Sequence, residues 1–169
     1  IIDTQLLNMC LRGVGLYGKK KDLFNVNSER LAELSTQFSN NVLDATKEWK
    51  ILLTKPSEIE GVPKRTLESL AKAAKESKDH VDLEKEPSTD NGPWLLGLDM
   101  PSYVSFMTYS KNRAVRELLY KAFISKASDG TNSNEKILEE ILILRSQQSK
   151  LLGFKNWAEL SLSSKMAEN

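Results

Sequence analysis

At 169 residues with a net charge of +1, the chain has material for one folded domain and no charge excess to attract nucleic acid or an acidic membrane. Hydrophobic residues make up 40% and charged residues 28%, so a core can be buried without disulfides. Cys10 is the single cysteine, which excludes an internal disulfide; it reads as a buried thiol in a reducing compartment. No run is long and apolar enough to span a bilayer, and no secretory leader or Asn-x-Ser/Thr acceptor is written in the chain. These features point to the cytoplasm or an organelle matrix (mitochondrion or chloroplast) rather than to secretion. The chain opens on Ile1 rather than Met, which reads as an excised or processed piece.

Helical spacing dominates the chain from its first residues. Ile1 to Arg12 places Ile2, Leu6, Leu7, Met9 and Cys10 near one face, and Gly13, Gly15 and Gly18 then break the helix. Leu31, Leu34, Phe38, Val42, Ala45 and Trp49 follow at intervals of 3, 4, 4, 3 and 4 residues, one continuous apolar stripe. Glu29, Arg30, Glu33, Gln37, Asn40 and Asp44 form the polar side of the same helix. Residues 51–54 read as a brief strand ended by Pro56. Pro63 suits the first turn of a helix running to about Lys75, with Leu67, Leu70, Ala71 and Ala74 inward. The charged stretch 76–92, with Pro87, Ser88 and Asn91-Gly92, predicts a mobile surface loop.

Residues 94–98 are the second strand, expected to pair antiparallel with 51–54. Pro101 opens a helix carrying Tyr103, Phe106, Met107 and Tyr109. The next covers 112–125 with Val115, Leu118, Leu119 and Ala122 at helical intervals. After the turn 128–133, Asn132 and Glu135 have the spacing of a capping box for a helix over about 133–152. That helix carries Ile137, Ile141, Leu144 and Leu151 inward, and Gly153 stops it. A last helix begins near Asn156. The fold class is mostly α, with six or seven helices and a small two-stranded β ribbon, in a single helical region over 1–169.

Several motifs invite chemical readings, each set against a structural one. Gly13-Val-Gly15-Leu-Tyr-Gly18 matches G-x-G-x-x-G, but the segment before it reads as helix, whereas a dinucleotide fold needs a strand there. It reads as a glycine-rich connector. Lys19-Lys20-Lys21 reads as a solvated helix start rather than a phosphate grip or targeting signal. Asn40-Asn41 in mid-helix suits a contact with a neighbouring helix, with a channel-facing role as the functional alternative, since Asn is a poor helix former. Trp94, Tyr103, Phe106, Tyr109 and Trp157 read mostly as core aromatics, with a peptide-binding wall as the functional alternative. Ser77, Ser88 and His80 share a loop, which does not make a hydrolase triad.

Six segments together resemble the oligopeptidase A/thimet oligopeptidase family of zinc metallopeptidases. They are the long helix from Glu29 to Thr46; Ile59-Glu-Gly-Val-Pro63; Leu98-Asp-Met-Pro-Ser-Tyr103 with Met107-Thr-Tyr109; Asn112-Arg-Ala-Val-Arg-Glu-Leu-Leu-Tyr120 with Ser125-Lys-Ala-Ser128; Glu139-Glu-Ile-Leu-Ile-Leu-Arg145 with Leu151-Leu-Gly-Phe-Lys-Asn-Trp-Ala-Glu159; and Ser161-Leu-Ser-Ser-Lys-Met-Ala167. The form is nearer to the oligopeptidase A and plant organellar/cytosolic branch than to animal thimet oligopeptidase.

The resemblance implies a largely helical, clam-shaped enzyme with a deep channel that admits short peptides. The matched segment is similar to the helical, non-catalytic part before the catalytic domain, where it serves as channel wall and size filter. The family binds zinc through H-E-x-x-H, and this chain has one histidine, His80, beside Asp79, Asp82 and Glu84. That cluster lacks a second His and reads as a solvated loop. No catalytic, cofactor-binding or metal residue is therefore assigned in the chain, and it is expected to be inactive alone. The implied partners are short peptides and the remaining catalytic lobe or a full-length relative, with no nucleic acid and no membrane. The alternative is a free-standing peptide- or protein-binding module derived from such a peptidase, with a regulatory role.

Overall fold

The computed structural model describes residues 2–77 and 86–167. The described residues form α1 (Ile2–Leu11), α2 (Lys19–Glu48), β1 (Lys50–Leu53), α3 (Lys64–Glu76), β2 (Trp94–Gly97), α4 (Met100–Tyr109), α5 (Arg113–Ile124), α6 (Glu135–Leu151) and α7 (Trp157–Leu162). A short 3-10 turn at Pro56–Glu58 follows β1. The mostly helical class with one small ribbon matches the sequence reading. The centre of the expected 76–92 loop, residues 78–85 with His80, lies outside the described residues. The chain divides into two compact units, one built from 1–40 and 134–169, the other from 41–133.

In the second unit the ribbon sits inside a helical shell. β1 and β2 pair antiparallel with Lys50 opposite Gly97 and Leu53 opposite Trp94; β1 starts and ends one residue before the expected 51–54, and β2 starts at the expected Trp94 and ends one residue before Leu98. Leu53, Trp94, Leu96, Phe106 and Leu119 are fully enclosed and form one core with Leu70, Ala71 and Val115. Fully burying a large apolar side chain contributes about 1.5–3 kcal/mol. The Trp94 indole N–H donates to Thr89 O at 3.1 Å, which satisfies the polar edge of the buried ring. Tyr103 stacks on Phe123 with ring centroids 3.9 Å apart.

Local signals set the helix ends here. The Asp99 side chain accepts from Ser102 N and starts α4 with Pro101 in its first turn. The Asn112 side chain accepts from Val115 N at 3.1 Å and starts α5. Asn112 and Ser125, expected as the ends of that helix, are its caps.

In the first unit, α2 and α6 lie antiparallel. Leu34 packs on Ile137 and Ile141, while Phe38 O accepts from Asn134 Nδ2 at 3.2 Å near the start of α6. Toward the other end the contact turns polar. Asn27 Nδ2 donates to Gln147 Oε1 at 3.1 Å, and Gln148 Nε2 donates to Ser28 Oγ at 2.7 Å. Asn27, Gln148 and Ser149 are buried, and each finds a partner.

Two expectations are corrected in or near this packing. Asn132 does not cap α6: its Nδ2 donates to Glu48 Oε2 at 3.1 Å, the helix begins at Glu135, and Asn134 holds the cap position without a side-chain cap bond. The same spacing instead caps α7, where Asn156 Oδ1 accepts from Glu159 N at 2.9 Å. Cys10 is exposed rather than buried, because α1 buries none of its residues.

Candidate functional site

A recess of about 640 Å³ lies in the second unit. The end of α2, the start of β1, the end of α5 and the 125–132 turn form its walls. Trp49 and Leu98 give it an apolar floor; Glu48, Lys121, Lys126 and Asp129 charge its rim. Glu48 accepts from Asn132, Lys121 donates to Glu117 at 2.6 Å, and the Lys126 ammonium sits 3.8 Å from the Phe123 ring centroid. The Ser125 hydroxyl donates to Lys121 O at 2.8 Å, a helix-end bond and not one to a general base. The recess joins an apolar floor to a charged rim.

A smaller recess of about 450 Å³ lies in the first unit, on one side of the α2–α6 contact. The opposite side of that contact is closed by charge. Arg30 Nε and Nη2 donate to the two oxygens of Glu140 at 2.6 and 2.9 Å, and Arg30 Nη1 donates to Glu33 at 3.0 Å. These bonds hold the Glu140 carboxyl below its ordinary value and the guanidinium above its own.

The singled-out sequence motifs fall as follows. Gly13, Gly15 and Gly18 occupy the connector between α1 and α2, with no strand before them. Gly13 has φ +75°, and a Cβ there would press into the Phe24 ring at 2.8 Å, so that glycine serves close packing. Lys19, Lys20 and Lys21 are the first three residues of α2, and Lys21 Nζ donates to Gly13 O at 2.8 Å. Asn40 is exposed and Asn41 half-buried. Trp94 and Phe106 are core; Tyr103 is half-buried; Tyr109 is exposed at 56%. Trp157 is half-buried, with the Arg145 guanidinium 5.2 Å from its ring. Sequence reading missed Asn27 and Gln148. Their signal was a polar residue at an apolar-stripe position, four before Leu31 and four after Leu144.

A catalytic zinc needs three protein ligands and an open position. Among the described residues no three His, Cys, Asp or Glu side chains converge, so these residues do not fit such an ion. No described helix is long and apolar enough to cross a membrane.

The geometry is thus that of a helical scaffold with contact surfaces. The model of Peptidase family M3 matches residues 106–169. The chain is 44% identical to probable cytosolic oligopeptidase A of Arabidopsis thaliana over 99% of its own length and 23% of that protein. It is 43% identical to the chloroplastic/mitochondrial organellar oligopeptidase A of the same plant, over 99% of the chain and 20% of the relative. It is 44% identical to oligopeptidase A of Escherichia coli (strain K12), over 99% of the chain and 24% of the relative. The chain belongs to peptidase family M3, the oligopeptidase A/thimet oligopeptidase family of metallopeptidases. It spans about a quarter of the length of these relatives.

Proposed function

We propose that the chain is the helical, non-catalytic part of a zinc metallo-oligopeptidase that degrades short peptides. Its residues 1–169 act as one helical region that walls the channel and limits substrate size. Zinc and the groups that activate water are supplied by the rest of the protein, in the cytoplasm or an organelle matrix.

One observation carries this reading: α1 is a ten-residue, mostly apolar helix with no buried residue. Ile2, Leu6 and Met9 share its open side and are 72%, 55% and 51% exposed. Adjacent apolar residues left in water mark a surface awaiting a partner. A free-standing binding module would carry polar residues there. The identity over nearly the whole chain, confined to a quarter of each relative, supports the same reading.

The test replaces the corresponding segment of Escherichia coli oligopeptidase A with this chain. Restored peptide cleavage, with none by the isolated chain, is the expected result. Chelator-sensitive cleavage by the isolated chain would overturn the proposal.

A further inference from the structure

The two sides of the α2–α6 contact differ in chemistry. One is closed by the Arg30–Glu140 pair. The other is the recess of about 450 Å³, floored by Leu31, Phe38 and Ile141. Its α2 wall carries Ala32, Ser35 and Ser39, small side chains at helical intervals. Its α6 wall carries Leu138 and Arg145, on the face that Leu142 shares. Leu138 and Leu142 are 47% and 64% exposed, although Ile137 and Ile141 already bury the inner stripe of α6. A helix with apolar stripes on two faces is suited to pack on both. Arg145 makes no ion pair among the described residues and rests against the Trp157 ring at the edge of the groove.

We propose that this groove seats a further amphipathic helix from the remainder of the same polypeptide, with an apolar stripe over Leu138 and Leu142 and a carboxylate facing Arg145. The small α2 wall lets a helix backbone approach closely, and the aliphatic α6 wall supplies contact area. The unpaired guanidinium selects an acidic residue on the incoming helix. Two antiparallel helices and a third in their groove make a three-helix bundle, with the ion-paired edge left to water. The inference rests on the proposed function: the relatives extend well beyond the quarter that this chain matches, and the docking helix is assigned to that remainder.

The test uses the same Escherichia coli chimera and the isolated chain, each with Ser35→Trp and separately with Leu138→Asp. Both positions are exposed, so neither substitution should move the melting midpoint of the isolated chain by more than about 2 °C. In the chimera each should lower it by at least about 5 °C, because the groove is filled or made polar under a packed helix. Unchanged chimera midpoints would overturn the groove assignment and leave the proposed function standing. A chimera that fails to fold with the unsubstituted segment would overturn both. Dimerisation of the isolated chain that Ser35→Trp abolishes would place a second copy in the groove and overturn the assignment to the same polypeptide.

Discussion

Arg30 grips Glu140 through two parallel hydrogen bonds, Nε to Oε1 at 2.6 Å and Nη2 to Oε2 at 2.9 Å, across 110 residues of chain. The Glu140 carboxyl is held below its ordinary value near 4.5, first by bonding to Arg30 and then by the guanidinium charge. A depressed folded-state value means the contribution is fully present above the unfolded value and is lost as pH falls through the folded one. Thermal melts between about pH 6 and about pH 3 should therefore decline less steeply for Glu140→Gln than for the natural chain. Equal slopes would show that the pair does not couple to folding. Part of the slope should persist in both, since Glu86 and Glu117 are lowered by Lys75 and Lys121.

Gly61→Ala should destabilise the second unit strongly. Gly61 has φ +87°, and a Cβ there would overlap the carbonyl oxygen of Tyr109. The approach is fixed by Lys111 N donating to Glu60 O at 2.8 Å, so the two backbones cannot easily part. Left-handed strain and the overlap together should cost about 2–4 kcal/mol, read from denaturant unfolding. A loss below about 1 kcal/mol would mean that the turn relaxes freely.

Trp94→Phe isolates the role of one hydrogen bond. The ring is fully enclosed, and its N–H reaches Thr89 O. Phe keeps most of the apolar contact but leaves that carbonyl without its indole donor and opens a small void. A cost of about 1–3 kcal/mol is expected, against about 3–5 kcal/mol for Trp94→Ala. Equal losses from the two would place the contribution in the hydrogen bond rather than the ring.

The open side of α1 should be visible to a solvatochromic dye. The isolated chain should bind ANS, and Leu6→Ser with Met9→Ser should reduce the signal with little change in melting midpoint, because neither side chain is buried. An isolated chain that binds no dye and stays monomeric at high concentration would favour the free-standing module.

The long helix and the ribbon were legible because their patterns are strictly periodic. Leu31, Leu34 and Phe38 turn toward α6 as their spacing predicts. Trp94, Leu96 and Leu98 alternate into the core. Periodicity failed where a helix face meets water. Spacing places Ile2, Leu6 and Met9 on one face of α1, but it cannot state which partner covers that face, and the face is exposed. The capping signal at Asn132 failed because spacing cannot show that Glu48 claims the side chain. The candidate site was hardest to read: both recesses are built from side chains far apart in sequence, with no reactive motif to announce them.

The first unit is interrupted in the chain by the whole of 41–133. A ribosome therefore releases most of α2 long before it has made α6, and Leu31, Leu34 and Phe38 must wait, solvated, for Ile137 and Ile141. Closing so long a loop is entropically dear when the intervening chain is loose. If 41–133 collapses first, it shortens the effective tether between the halves. Folding of the inserted stretch ahead of the first unit would then leave a shorter gap for α2 and α6 to close.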